Sequence, residues 1–144
     1  MNKQKNIEYK LAGFELTQFR PAWENYTDGV GVEIQNNIGF AYNAEKKVLK
    51  CTISMSFVQG INSVLDIEFC TYIELHPDSV KNMTEENRLV VPANFLAQCA
   101  SFGHGAIRGV MYLKTQNTPL EGAMIPPTEY HKIFREDYVI ELGK

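Results

Sequence analysis

The spacing of apolar residues changes once along the chain, and that change divides it. Over residues 30–42 the even positions read Val30, Val32, Ile34, Asn36, Ile38, Phe40 and Tyr42. The odd positions read Gly31, Glu33, Gln35, Asn37, Gly39 and Ala41. A period of two with one apolar side is a strand with one face on a core. Residues 47–59 repeat the pattern, with Leu49, Cys51, Ile53, Met55 and Phe57 opposed to Lys50, Thr52, Ser54 and Ser56. Residues 65–75 carry Leu65, Ile67, Phe69, Thr71, Ile73 and Leu75 on one side, and Asp66, Glu68, Cys70, Tyr72 and Glu74 on the other. Segments 43–46 and 59–63 are short enough to make these strands antiparallel neighbours. An earlier strand, from about residue 8 to 19, alternates less cleanly. That suits a sheet edge, and Pro21 helps end it.

Beyond residue 91 the pattern is helical. Pro92 suits a first turn, and a helix is predicted to run to about Lys114. It offers Leu96, Cys99, Phe102, Ala106, Val110 and Leu113 as a broad apolar surface. The stretch 116–119, ending in Pro119, closes it. The following loop is unusually apolar, with Leu120, Met124 and Ile125. Thr128 or the preceding proline then opens a last helix carrying Tyr130, Ile133, Phe134 and Tyr138. The predicted architecture is α+β, a single domain over residues 1–144. It is a four-stranded antiparallel meander with one apolar face, followed by two helices that cover it.

Charge removes some partners. The 14 basic and 17 acidic residues give a net −3 with no basic stripe, which argues against nucleic acid. The polar N-terminus lacks the apolar run of a signal peptide, and no stretch is apolar enough to span a bilayer. Three widely spaced cysteines, Cys51, Cys70 and Cys99, favour free thiols in a reducing cytoplasm.

The stretch FGHGAIRG, residues 102–109, invites a phosphate-binding reading. Its glycines fall at 103, 105 and 109, so Arg108 stands where a dinucleotide fingerprint needs glycine. Val110 and Met111 stand where a P-loop would continue. A wider window shows Ala93, Ala97, Ser101, Gly105 and Gly109 every four residues, a stripe of small side chains on one helix face. Such a stripe lets a helix axis come close to another backbone. Each glycine inside the helix costs about 0.5–1 kcal/mol against alanine, so close packing or a kink is expected to compensate.

Catalytic constellations are missing. His76, His104 and His131 show no metal-ligand spacing, and no nucleophile elbow is present. Cys99 and His104 diverge by about 140° around a 3.6-residue helix. No enzyme, no cofactor and no metal are expected. A rival reading is a small-ligand pocket or an unrecognised active site between sheet and long helix, with His104 and Arg108 as its polar groups. A purely structural oligomer is a third.

The order of elements, with VPANFLAQCASF opening the long helix and TPLEGAMIPPTEYHKIF after it, resembles the SecB family of export chaperones. Pro127, Tyr130 and Phe134 match the run that starts the family's last helix, and VLDIEFCTYIEL resembles its last strand. The resemblance implies an ATP-independent holdase, a dimer of dimers, that holds unfolded or precursor polypeptides in apolar grooves. Its client-binding residues would be Phe40, Tyr42, Phe57, Phe69, Leu120, Met124, Ile125 and Tyr130; the sheet aromatics and loop residues would otherwise fill the core. Its assembly surface would be Ala97, Ser101, Gly105 and Gly109. Contact with the motor SecA would fall on Glu15 and Asp66, which are otherwise ordinary solvated strand residues. A third family acid would lie near Phe19 and Arg20, where this chain has none. The charge is also milder than the family norm, which leaves room for a dedicated chaperone of a toxin–antitoxin system.

Overall fold

The computed structural model describes residues 6–123 and 125–143. Four strands form the main sheet: β1 (Tyr9–Pro21), β2 (Glu33–Asn43), β3 (Val48–Gln59) and β4 (Asn62–Leu75). All neighbours are antiparallel, in the order β1-β4-β3-β2. The meander therefore holds for β2, β3 and β4, while β1 crosses over to the free side of β4. The connection explains the crossover. Pro21 ends β1, a 3-10 turn at Trp23–Asn25 follows, and the chain runs around the β3–β4 hairpin before entering β2. Gln59 holds this detour, accepting from Thr27 N at 2.8 Å and donating to the carbonyls of Thr27 and Val30 at 3.0 Å each. A tight β1–β2 hairpin is sterically unavailable to such a path.

The irregular alternation of β1 also has a cause. Its register against β4 shifts between Leu11 and Gly13 and again between Leu16 and Gln18. Each bulge adds one residue and flips the side-chain period. Tyr9, Leu11, Phe14, Leu16 and Phe19 thus all lie on the core side despite mixed parity, opposite Leu75, Ile73, Thr71, Phe69 and Ile67.

Between β4 and the long helix lies a small unit that the alternating pattern did not reveal. His76 caps α1 (Pro77–Met83), its Nδ1 accepting from Asp78 N at 3.1 Å. The His76-Pro-Asp78 stretch, which reads as a strand end and turn, is thus a helix start. Strands β5 (Thr84–Glu85) and β6 (Arg88–Val91) follow as a hairpin. Its two turn residues, Glu86 and Asn87, have φ of 49° and 63°, as a primed turn requires.

The long helix α2 (Ala93–Lys114) lies across the core side of the main sheet. Leu96, Cys99, Ala100, Gly103, Ile107 and Met111 are its buried residues toward the sheet. Gly103 is the point of closest approach. A Cβ there would lie 2.8 Å from Thr71 Oγ1 and 3.1 Å from Ile53 Cδ1. The expected last helix is shorter than its pattern suggested. Only one turn, α3 (Tyr130–Ile133), is helical, and Tyr138 instead begins a strand, β7 (Tyr138–Glu141). Tyr138, Ile140 and Leu142 alternate, and that period pairs β7 with β6 in a three-stranded sheet β5-β6-β7.

Candidate functional site

A single helix cannot cover four strands. Strands lie about 4.8 Å apart and a helix is about 10–12 Å wide, so α2 shields roughly two. It lies over β3 and β4. Leu49, Cys51, Ile53, Met55 and Phe57 on β3 are buried, as are Leu65, Ile67, Phe69 and Ile73 on β4. The core sides of β1 and β2 project beyond the helix on either flank.

On the β2 flank Ile34 is exposed, and Ile38, Phe40 and Tyr42 are half-buried. The segment after α2 returns along this flank and walls it. Phe40 meets Phe134 with ring centroids 5.8 Å apart and planes at 70°, and Tyr138 at 5.8 Å and 51°. Between Ile38, Phe40, Leu96, Ile133, Phe134 and Tyr138 remains an open groove of about 430 Å³, which Arg135, Glu136 and Asp137 also border. Ile133 and Tyr138 are both exposed at its rim.

His104 fixes the wall from behind. It is buried, its Nδ1 2.8 Å from the Tyr130 hydroxyl and its Nε2 2.9 Å from the Pro126 carbonyl oxygen. A carbonyl only accepts, so Nε2 carries the proton toward Pro126 and Nδ1 accepts from Tyr130. Burial pushes the Tyr130 hydroxyl above its ordinary pKa, which keeps it a donor. Tyr130 in turn stacks on Phe134 at 6.1 Å.

The β1 flank is a second apolar strip. Leu11 and Phe14 are exposed at 44% and 48%, and Phe14 rests against Phe69 at 5.6 Å. Its two ends are closed by α2. At one, Tyr9 packs on Phe95 at 5.3 Å and accepts from Gln98 Nε2 at 2.8 Å. At the other, Lys114 lies 5.0 Å over the Phe19 ring.

No family model and no curated protein matches the sequence. A solved structure does match the fold. It is the SecB-like chaperone Rv1957 of Mycobacterium tuberculosis, in complex with a ChAD peptide from the Rv1956 HigA1 antitoxin. The TM-score is 0.52 at 13% identity, and the match covers 84% of each chain. The fold is SecB-like.

On this SecB-like fold the residues expected to bind client are divided. Phe40 and Tyr42 lie on the β2 flank, half-buried. Phe57, Phe69, Leu120, Ile125 and Tyr130 are buried. Met124 lies outside the described residues. Phe14, Ile38, Ile133, Phe134 and Tyr138, which also border the two flanks, were not singled out for binding by the pattern. The bulges hid Phe14. The helical reading of the C-terminal segment hid the wall formed by Phe134 and Tyr138.

The small-residue stripe separates likewise. Ala97 is buried, whereas Ser101, Gly105 and Gly109 face outward. A Cβ at Gly105 or Gly109 would meet nothing within 4 Å. Close packing of this stripe on the chain's own sheet is therefore excluded at its C-terminal half. Gly103, off the stripe, makes the close approach instead. Beside the stripe Tyr112 and Leu113 are 73% and 69% exposed.

The residues aligned with motor binding lie on the opposite, polar face. Glu15 Oε1 accepts from the Tyr72 hydroxyl at 2.7 Å, and this carboxylate is the first cause that pushes the Tyr72 pKa up to about 12. Asp66 Oδ1 accepts from Ser56 Oγ at 2.5 Å. Glu68, which accepts from Thr17 at 2.8 Å, adds a third carboxylate to this face. Arg20 is the register partner of Asp66, so a basic residue stands beside that acid.

The two polar residues of the rival ligand reading are not brought together. Both ring nitrogens of His104 are engaged with the wall. Arg108 instead borders a separate hollow of about 420 Å³, with Gly109, Met111, Tyr112, Ala123 and Ile125. Another concavity, about 800 Å³, lies toward the polar face near Ala12, Ala41, Lys46, Lys50 and Tyr72. Among the described residues no cluster of three or more His, Cys, Asp or Glu could hold a metal. Among the described residues no helix is long and apolar enough to cross a membrane. Burial pushes the Cys51 thiol up to about 12 and raises Cys99 as well, so both behave as small apolar fillers.

Proposed function

We propose that this protein is an ATP-independent holdase that binds unfolded or precursor polypeptide along the apolar flanks of α2, as a cytoplasmic homotetramer serving protein export. The observation that carries the reading is the half-covered aromatic groove of Phe40, Phe134 and Tyr138 on a SecB-like fold. An unfolded client offers scattered apolar side chains on an extended backbone. A binder for it needs open apolar surface that tolerates varied shapes, rather than a closed cavity with convergent polar groups. Both flanks fit that need. Transient capture of this kind requires no bond chemistry and no cofactor.

Assembly would use the outward face of α2. Ser101, Gly105 and Gly109 leave the helix backbone accessible, and Tyr112 and Leu113 stand beside it. A second helix could seat there closely. Glu15 and Asp66 would contact the SecA motor if the role is export. A second reading, a dedicated chaperone of an antitoxin, is favoured by the peptide held in the solved Mycobacterium tuberculosis relative of this fold. Arg20 beside Asp66 also weakens an all-acidic motor surface.

The deciding experiment dilutes an unfolded, slow-folding protein into buffer with and without the chain, with no nucleotide. Light scattering follows aggregation, and the chain's own mass is recorded in the same buffer. Suppression at near-stoichiometric amounts by a tetramer is expected. Aggregation unaffected by excess chain would reject the holdase reading.

A further inference from the structure

The wall of the groove is tied to α2 at two points. One is His104, bonded to both Tyr130 and Pro126. The other is at the helix start. Residue 92, the cap position of α2, is a proline and supplies no side-chain hydrogen bond. Its place is taken by a residue far along the chain: Asp137 Oδ1 accepts from Ala93 N at 3.0 Å, across 44 residues. The register explains how it arrives there. β7 pairs with β6 so that Tyr138 faces Val91, which leaves Asp137 beside Pro92 and the first amides of α2. A carboxylate at the N-terminus of a 22-residue helix both caps an orphan amide and meets the positive end of the helix dipole.

Asp137 also ends the short link, residues 134–137, that carries Phe134 from α3 to β7. Arg135 Nε donates to the Lys132 carbonyl at 3.1 Å, a bond local to the same segment. Leu96, one turn into α2, lines the same groove. A single carboxylate thus holds both the first turn of α2 and the link bearing Phe134.

We propose that Asp137 is a positioning residue for polypeptide binding: by capping α2 it holds Phe134, Tyr138 and Leu96 at the spacing from Phe40 that keeps the groove open. The proposal rests on the chaperone reading above. Loss of the carboxylate frays the first turn of α2 and frees residues 134–137, so Phe134 and Tyr138 lose their fixed ring contacts with Phe40 and the groove loses its shape.

The test measures binding of a fluorescein-labelled synthetic peptide, alternating Phe and Leu with Ser and Lys, by fluorescence anisotropy. Asp137→Ala is expected to weaken binding about ten-fold, the scale of a lost cap. Asp137→Asn, whose amide oxygen still accepts from Ala93 N, is expected to stay within about three-fold of the parent chain. Val64→Ala, at the far end of β4, serves as a destabilised control and is expected to bind normally. Unchanged affinity in Asp137→Ala would overturn the proposal while leaving the chaperone reading intact. An equal loss in Val64→Ala would also overturn it, because mere destabilisation would then suffice. No binding by the parent chain would reject the chaperone reading itself, and the role of Asp137 with it.

Discussion

The inner strands β3 and β4 and the outer strands β1 and β2 carry similar apolar faces but meet different fates. The inner pair is sealed beneath α2, whereas the outer pair is only half-covered. Alternation states which side of a strand is apolar. It does not state how much helix is available to cover it. The difference between core and candidate binding surface therefore lies in strand order and helix width, not in the composition of any strand.

Substitutions can break this comparison, and the largest effect is expected inside. Ile53→Ala, at a position 0% exposed, should cost about 2–5 kcal/mol in chemical denaturation. Phe14→Ala on the open flank should cost about 1 kcal/mol or less while weakening client binding. Equal losses at the two sites would show the flank to be core.

The glycines sharpen the same contrast. Gly103→Ala forces a methyl group against Thr71 and Ile53 and should cost about 1–3 kcal/mol. Gly105→Ala meets open space and should stabilise the helix by about 0.5–1 kcal/mol. Gly105→Leu should leave the fold of one chain intact yet lower the assembled mass, read by light scattering. A full-sized assembly in that variant would remove the stripe from the subunit interface.

His104→Ala removes two hydrogen bonds behind the groove wall, those to the Tyr130 hydroxyl and the Pro126 carbonyl. A loss of about 2 kcal/mol is expected, with weaker peptide binding than the stability change alone would give.

The smallest effect is expected on the polar face. Glu15→Gln should return the Tyr72 titration from about 12 toward 10, read by ultraviolet absorbance against a Tyr72→Phe reference. The sign follows from linkage. The folded state favours the protonated phenol, so its contribution is full below pH 10 and fades as pH rises toward 12. The variant should therefore lack this contribution below pH 10 and converge with the parent as pH rises toward 12.

Much of the fold was legible in the sequence because two periods were clean. β2, β3 and β4 announced themselves through uninterrupted alternation, and α2 through a 3.6-residue repeat behind Pro92. What escaped did so for local reasons. Two bulges scrambled β1, and strand order depends on a path around the β3–β4 hairpin that no periodicity encodes. Tyr130, Ile133, Phe134 and Tyr138 fit one helix face, but the same residues also fit a turn followed by a strand, and pairing with β6 decided between them. The candidate site was less legible than the fold. Phe40 was visible as an apolar strand residue, whereas its partners Phe134 and Tyr138 depend on where the C-terminal segment returns.

The cap on α2 has a consequence for how the protein is made. Synthesis runs from the N-terminus, and earlier parts of a chain begin to organise before later ones exist. β2, β3 and β4 can pair as soon as residue 75 is available, and α2 can coil on them. Its first turn must wait for Asp137, and β6 must wait for β7. The aromatic groove is thus completed only after residues 137–141 have been made. A nascent copy has most of its core and its β1 flank before it has the groove on the β2 flank.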